Sequence, residues 1–357
     1  MRMKHAPLLL LLAACDLAPR APVEGPPWFQ LDDAAPEDDA LTGYVLRAGR
    51  VGADPVVRIE LPPEAFAAGP FRIGTGDVVV FGHNDGAQSL VETVDVDTGA
   101  HRALVGSSEV LRSALVDADS LYVHVLEQAT RRDLGVRRFR LGDGVLALDD
   151  GELVLPGLAP EVEGEELFGP TFATQLALDE GSLVVQSCSE ILCRARVLDL
   201  ASGDVVVRDE IGQGELLGAV DGTLVVYEAG NGWPCRVLAI DAQTGAALDA
   251  AFAYGAAVAP DGDGRATLVW ESGDEPGLLL ARALDDDGPP RTLAVFEDDA
   301  LHPVPNASRA LAGLALPNGF VALGGDGRLV DVADFEPHAF LIRVDDGALF
   351  ETARSAR

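Results

Sequence analysis

The sequence predicts an all-β chain built as a β-propeller, seven blades preferred with six as the alternative, and three observations predict it. Short apolar runs rich in Val, Leu and Ile recur along the chain and close on an acidic residue and a glycine turn. The turn glycines are evenly placed: from Gly99 through Gly144, Gly203, Gly245 and Gly288 to Gly347 the intervals are 45, 59, 42, 43 and 59 residues. That spacing is near the roughly 40 to 50 residues of a four-stranded blade. No segment carries an amphipathic helical period longer than three turns. A β-sandwich would supply the strands without the regular period.

The first element is a leader. Arg2 and Lys4 give a positive start, Leu8 to Leu12 an apolar centre, and Ala13 and Ala14 the small residues of a cleavage point. The uncharged run from His5 to Ala14 is short of the roughly 20 residues that a spanning helix needs. Leu12-Ala13-Ala14-Cys15 resembles the lipobox of bacterial lipoproteins. The resemblance implies that residues 1–14 are removed and that Cys15 becomes the first residue. Its thiol would carry diacylglycerol, and its amino group a further acyl chain such as palmitate. An ordinary signal with an incidental Cys15 is the alternative. At about 0.8 kcal/mol per buried CH₂, several acyl chains make a durable anchor. The expectation is a protein of the bacterial cell envelope, lipid-anchored at Cys15 to the inner or outer membrane and facing the periplasm or the cell surface. Asp16 resembles the inner-membrane retention signal of enterobacterial lipoproteins.

Residues 15–40 follow, rich in Pro, Ala and acid without a period of 2 or 3.6, and read as a flexible tether. Residues 41–357 contain no comparable linker and read as one propeller domain. Within it each turn closes a strand: Thr93 to Gly99, Val197 to Gly203, Leu238 to Gly245 and Leu341 to Gly347, with weaker copies at Gly144 and Gly288 and a degenerate first copy at Arg58 to Glu64. Ahead of each lies a partner strand, beginning near Gly43, Gly76, Asp119, Gly181, Gly222, Arg265 and Gly319. The pairs make seven hairpins. Gly157 to Gly169, inside one of the longer intervals, reads as a surface insertion.

Val94-Asp-Val-Asp-Thr-Gly99 and Ile240-Asp-Ala-Gln-Thr-Gly245 resemble the D-x-x-T-G core of PQQ-like propeller repeats, and Leu314 to Gly347 resembles another bacterial, WD40-like propeller repeat ending in R-x-D-x-x-G. These motifs encode turns and imply the fold. In the PQQ-binding members a tryptophan follows the glycine by four residues and two adjacent cysteines sit beside the cofactor. Here those positions hold Ala103 and Asp249, and no two cysteines are neighbours, so no cofactor is expected.

Catalytic signatures are thin. The chain has no G-x-S-x-G, H-E-x-x-H or C-x-x-C. His83, His101, His124, His302 and His338 are scattered, and read as strand-end or solvent residues. Asp261-Gly-Asp-Gly-Arg-Ala-Thr267 resembles the start of calcium loops in integrin-type propeller repeats, which would make Asp261 and Asp263 ligands for Ca²⁺. Calcium wants six to eight oxygens and the later aspartate of that pattern is Thr267, so a plain Asp-Gly turn is preferred.

Cysteine usage fits an exported domain, where disulfides persist. Cys188 and Cys193 flank four residues between two strands and face each other across a hairpin, so they are expected to bond. Cys235 lies ten residues before its turn glycine, as Cys193 does. It is expected in the adjacent blade as a free, partly buried thiol.

Charge bounds the partners. Lys4 is the only lysine, and removing Arg2 and Lys4 moves the formal charge from −32 to about −34. This argues against nucleic acid or an anionic lipid surface and excludes lysine-dependent Schiff-base or P-loop chemistry. Two readings follow: a lipid-anchored binding scaffold for an envelope protein with a basic surface, or an envelope hydrolase or lyase with its site at the central channel.

Overall fold

Runs of Val and Leu with no polar interruption make strands that are buried on both faces, and these strands organise the fold. The structure is a computed structural model describing residues 27–33, 43–158, 173–295, 302–303, 320–324 and 340–351, apart from 51, 52, 54, 63, 85–87, 143, 180, 189–192, 209–213, 221, 229–234, 262, 264, 276 and 287. Among them there is no α-helix, only a 3-10 turn at Leu148–Asp150. Cys15, His338 and residues 159–169 of the insertion lie outside the described residues.

Six sheets result. The first holds β1 (Pro27–Asp33), β2 (Tyr44–Arg50) and β3 (Val57–Leu61). The second holds β4 (Phe66–Ile73), β5 (Gly76–Asn84), β6 (Ser89–Asp95) and β7 (His101–Ser107). In the third, β8 (Val110–Asp117), β9 (Ser120–Leu126) and β10 (Asp133–Arg140) are followed by β11 (Leu146–Ala147), which crosses to pair parallel with β7, and by β12 (Glu152–Pro156) on β10. The fourth holds β13 (Ala173–Asp179), β14 (Ser182–Cys188), β15 (Cys193–Asp199) and β16 (Val205–Arg208). The fifth runs through β17 (Glu215–Val220), β18 (Thr223–Glu228), β19 (Cys235–Asp241), β20 (Ala247–Pro260), β21 (Ala266–Ser272), β22 (Leu278–Ala283) and β23 (Arg291–Val295). The sixth holds β24 (His302–Pro303), β25 (Phe320–Gly324), β26 (Phe340–Arg343) and β27 (Leu349–Glu351).

The seven hairpins read from the glycine pattern are the antiparallel pairs β2–β3, β5–β6, β9–β10, β14–β15, β18–β19, β21–β22 and β25–β26. Among the described residues the propeller nevertheless has six sheets, the alternative to the preferred seven. The reason is β20, whose 14 residues pair with β19 in the first half and with β21 in the second. Two four-stranded meanders thus share one strand and hydrogen-bond as a single sheet. A second correction concerns the tether: Pro27–Asp33 lies inside it yet is a strand, paired along its length with β2 and burying Trp28, Phe29 and Leu31. Its apolar side chains reach the first core, which outweighs the flanking prolines and acids.

Apolar clusters fill the space between successive meanders. Leu46, Val79, Phe81 and Val94 join the first two sheets, and Val136, Leu155, Leu183 and Leu198 join the third to the fourth. Burial falls off toward the outer strands, where Leu153, Val205, Val207 and Val295 are exposed.

The repeated turn has a local cause. Asp95 Oδ1 accepts from the backbone N–H of Asp97 and Thr98 and from Thr98 Oγ1 at 2.8 to 3.1 Å, and Gly99 N–H returns to Asp95 O. Asp199 and Asp241 repeat the arrangement, and bonds from the Ser202 N–H and from Thr244, respectively, hold their pKa below the usual carboxylate range. Gly99, Gly203 and Gly245 sit at φ +70°, +80° and +74°, the left-handed region in which glycine is unstrained. At Gly347 the aspartate's place is taken by Arg343, whose guanidinium binds Asp346 and lowers that carboxyl to about 2.

Candidate functional site

The principal buried polar constellation among the described residues lies between the third and fourth sheets. It starts from a local irregularity: the β9–β10 register slips between Asp133 and Gly135, a bulge that re-aims side chains. Gly135 takes φ +98°, and a Cβ there would stand 2.1 Å from Leu155 O. Only glycine fits. Gly157 is equally constrained, because its Cβ would stand 2.0 Å from Asp133 O. The two glycines let β12 close over the bulge and seal Asp133 inside.

The Asp133 carboxylate accepts four hydrogen bonds. Oδ1 takes His124 Nε2–H at 2.8 Å and Gly135 N–H at 2.7 Å; Oδ2 takes Arg196 Nη2 at 2.7 Å and Ser187 Oγ at 3.2 Å. Arg196 Nη1 also donates to Pro156 O. Burial pushes the Asp133 pKa up, but the charge and hydrogen bond of His124, together with Arg196 and Gly135, outweigh it and hold the group ionised far below the usual range. His124 and Ser187 are 0% exposed and Arg196 3%.

This is a Ser, His and Asp set without the geometry of nucleophilic catalysis. Ser187 donates to the aspartate and not to the histidine, and no member meets solvent. The arrangement clamps two sheets. A neighbouring clamp does the same between the fourth and fifth sheets, where Gln186 donates to Gly214 O at 2.7 Å and accepts from Leu216 N–H at 2.9 Å.

Of the residues singled out in the sequence, His124 lies in this clamp, fully buried inside β9 and held by Asp133 instead of standing at a strand end or in solvent; the others fall elsewhere. Cys188 and Cys193 are register partners at the end of β14 and the start of β15, and their sulfurs are bonded. Cys235 opens β19 as Cys193 opens β15. Asp261 is committed to its own turn: Oδ1 accepts from Asp263 N–H and Arg265 N–H, and Oδ2 from the Arg265 guanidinium at 3.0 Å. Asp263 contributes its backbone N–H to that turn, and its residue is exposed. Both line a cleft of about 320 Å³ that also contains Arg265, Arg282 and Arg291, so an entering cation meets three positive charges as well as carboxylates. No group of three metal-ligating side chains comes together among the described residues. His83 lies 3.2 Å from Glu92, and His101 stands edge-on to Phe81. The side chain of His302 lies outside the described residues.

Sequence reasoning missed Asp133 and Arg196. The available signal was a charged residue inside an otherwise apolar strand, Arg196 in β15, which implies a buried partner.

No family model and no curated protein matches this chain. Solved structures do. A prolyl endopeptidase from a study of two such enzymes is similar at TM-score 0.51 and 14% identity, over 88% of this chain and 46% of that one. Oligopeptidase B from Leishmania major is similar at TM-score 0.50 and 12% identity, again over 88% and 46%. They share the β-propeller fold. The chain spans less than half the length of either peptidase. TolB from Acinetobacter baumannii is also similar, at TM-score 0.45 and 11% identity, over 92% of this chain and 80% of that one.

Proposed function

We propose that the chain is a lipid-anchored envelope protein whose propeller is a binding scaffold for a protein partner with a basic surface. One observation carries this reading: acidic residues outnumber basic ones by 58 to 26, and many of the arginines among the described residues are already engaged within the molecule. Ten of them pair with a carboxylate of the same chain. Arg137, Arg208 and Arg291 donate to backbone carbonyls. The net charge of −32 therefore sets the outer field. Such a field repels anionic polymers and speeds the approach of cationic surfaces. The buried clamps at Asp133 and Gln186 support a rigid platform.

Two measurements test the reading. Mass spectrometry of the N-terminal peptide from intact cells should find Cys15 acylated, and a mature Cys15 without lipid ends the anchor. A crosslinking pulldown from intact envelopes should recover a basic protein whose association weakens from low to physiological salt, as the Debye length falls to about 8 Å. Recovery of no partner, together with turnover of a small substrate by the purified domain, would replace the scaffold with an enzyme.

A further inference from the structure

The outer strand of a sheet exposes a row of backbone N–H and C=O groups, and proteins blunt such edges with charges, proline, bulges or a covering segment. Nearly every outer strand here whose side chains are described is blunted. In the first sheet, β3 turns Arg58 and Glu60 outward as an ion pair. In the second, β7 is bulged and covered by β11. The third sheet's β12 is bulged and ends in Pro156. In the fifth sheet, the first half of β20 and the terminal β23 are both bulged against their neighbours.

β16 differs. Its register against β15 is unbroken, it contains no proline, and Val205 and Val207 stand 43% and 45% exposed at alternate positions. Its only charge is withdrawn: Arg208 is buried, with Nε and Nη2 donating to Ala242 O and Gln243 O and Nη1 to Val207 O. What remains is a short aliphatic edge that follows the exposed Asp204.

We infer that β16 is a docking edge for strand addition by an extended partner segment that carries two aliphatic residues two positions apart, flanked by Lys or Arg. Backbone pairing along the edge supplies affinity, alternate aliphatic side chains meet Val205 and Val207, and the flanking cations meet Asp204 and the negative field of the chain. The pairing of β11 with β7 is the same event within one chain. A second copy of this chain is disfavoured as occupant, because two chains of charge −32 repel each other. The inference rests on the acidic-scaffold reading above and adds where the partner binds and in what form.

The test uses the full chain carrying Cys15→Ser and the capped peptide Lys-Lys-Val-Thr-Val-Lys-Lys, with heptalysine as a purely electrostatic probe, at about 20 mM ionic strength. The valine peptide should bind and shift the β16 amide resonances. N-methylation of its alternate amides, or the protein variant Val205→Asn/Val207→Asn, should each weaken it about tenfold while leaving heptalysine binding unchanged. If the double variant does not fold, the N-methylated peptide still decides the question on the native protein. Equal binding of the methylated and unmethylated peptides would overturn the docking edge and leave the acidic scaffold standing. Failure of both peptides and heptalysine to bind would overturn both. A concentration-dependent dimer abolished in Val205→Asn/Val207→Asn would show that a second copy takes the edge, and would overturn the assignment to a cationic segment.

Discussion

Asp133 is held by four donors in a site closed to water, so its loss and its protonation have different signatures. Its folded pKa lies below the unfolded value of about 3.9. The stabilisation it provides is complete above that unfolded value, shrinks progressively as the pH falls below it, and is gone once the pH has passed the lower, folded one. Asp133→Asn should therefore destabilise by about 3–5 kcal/mol at pH 7, because Arg196 is left buried without its counter-charge. The gap to the parent should shrink below about pH 4. Urea melts at pH 7 and pH 3 measure both, and an equal loss at the two values would show that the carboxylate's charge contributes nothing. Gly135→Ala should cost about 2 kcal/mol or more, since a left-handed backbone and a 2.1 Å approach to Leu155 O act together. Gly142→Ala, with nothing within 4 Å of the added carbon, should stay within about 0.5 kcal/mol. Comparable losses at the two glycines in denaturant titrations would contradict this account.

Within single elements, the hairpin closed by Cys188–Cys193 joins β14 and β15, the strands that carry Ser187 and Arg196 into the clamp. Cys188→Ala/Cys193→Ala should lower stability by about 2 kcal/mol, the loop-closure entropy of so short a span. Thiol titration of the denatured, unreduced domain lacking Cys15 should find one sulfhydryl, from Cys235. Three would mean that the bond does not form in solution. The hairpins were legible because each is local: an apolar run, a turn aspartate or its substitute, and a glycine at positive φ lie within a few residues. β1 was not, because Trp28, Phe29 and Leu31 sit among prolines and acids, and only pairing with β2 makes them a strand. Nor was the sheet count, since Gly255 near the middle of Ala247–Pro260 reads as a turn residue, yet the strand runs on through it with only a register shift against β21 between Ala253 and Ala256. The clamp is further from reach still. His124, Asp133, Ser187 and Arg196 lie on four strands of two sheets, and the bulge that turns Asp133 inward leaves no periodic mark.

For the whole molecule, surplus negative charge opposes the compact state, while the arginine pairs that offset it are already formed. Raising NaCl from about 0.01 to 0.15 M shortens the Debye length from about 30 to about 8 Å, so the Tm should rise over that range. A falling Tm in differential scanning fluorimetry would show that exposed ion pairs outweigh the repulsion. The continuity of β20 has another consequence, in the order in which the molecule opens. Elsewhere among the described residues the backbone pairing between meanders is confined to the two residues of β11 on β7, but the meanders on either side of β20 are written into one backbone. Neither can fray without stripping the amides of the other, so β17 to β23 should behave as one cooperative foldon. Native-state hydrogen exchange should find the amides of β18 and β21, in different meanders, protected by the same opening free energy and equally sensitive to denaturant. Divergent values for the two strands would mean that the shared strand breaks in the middle before either half lets go.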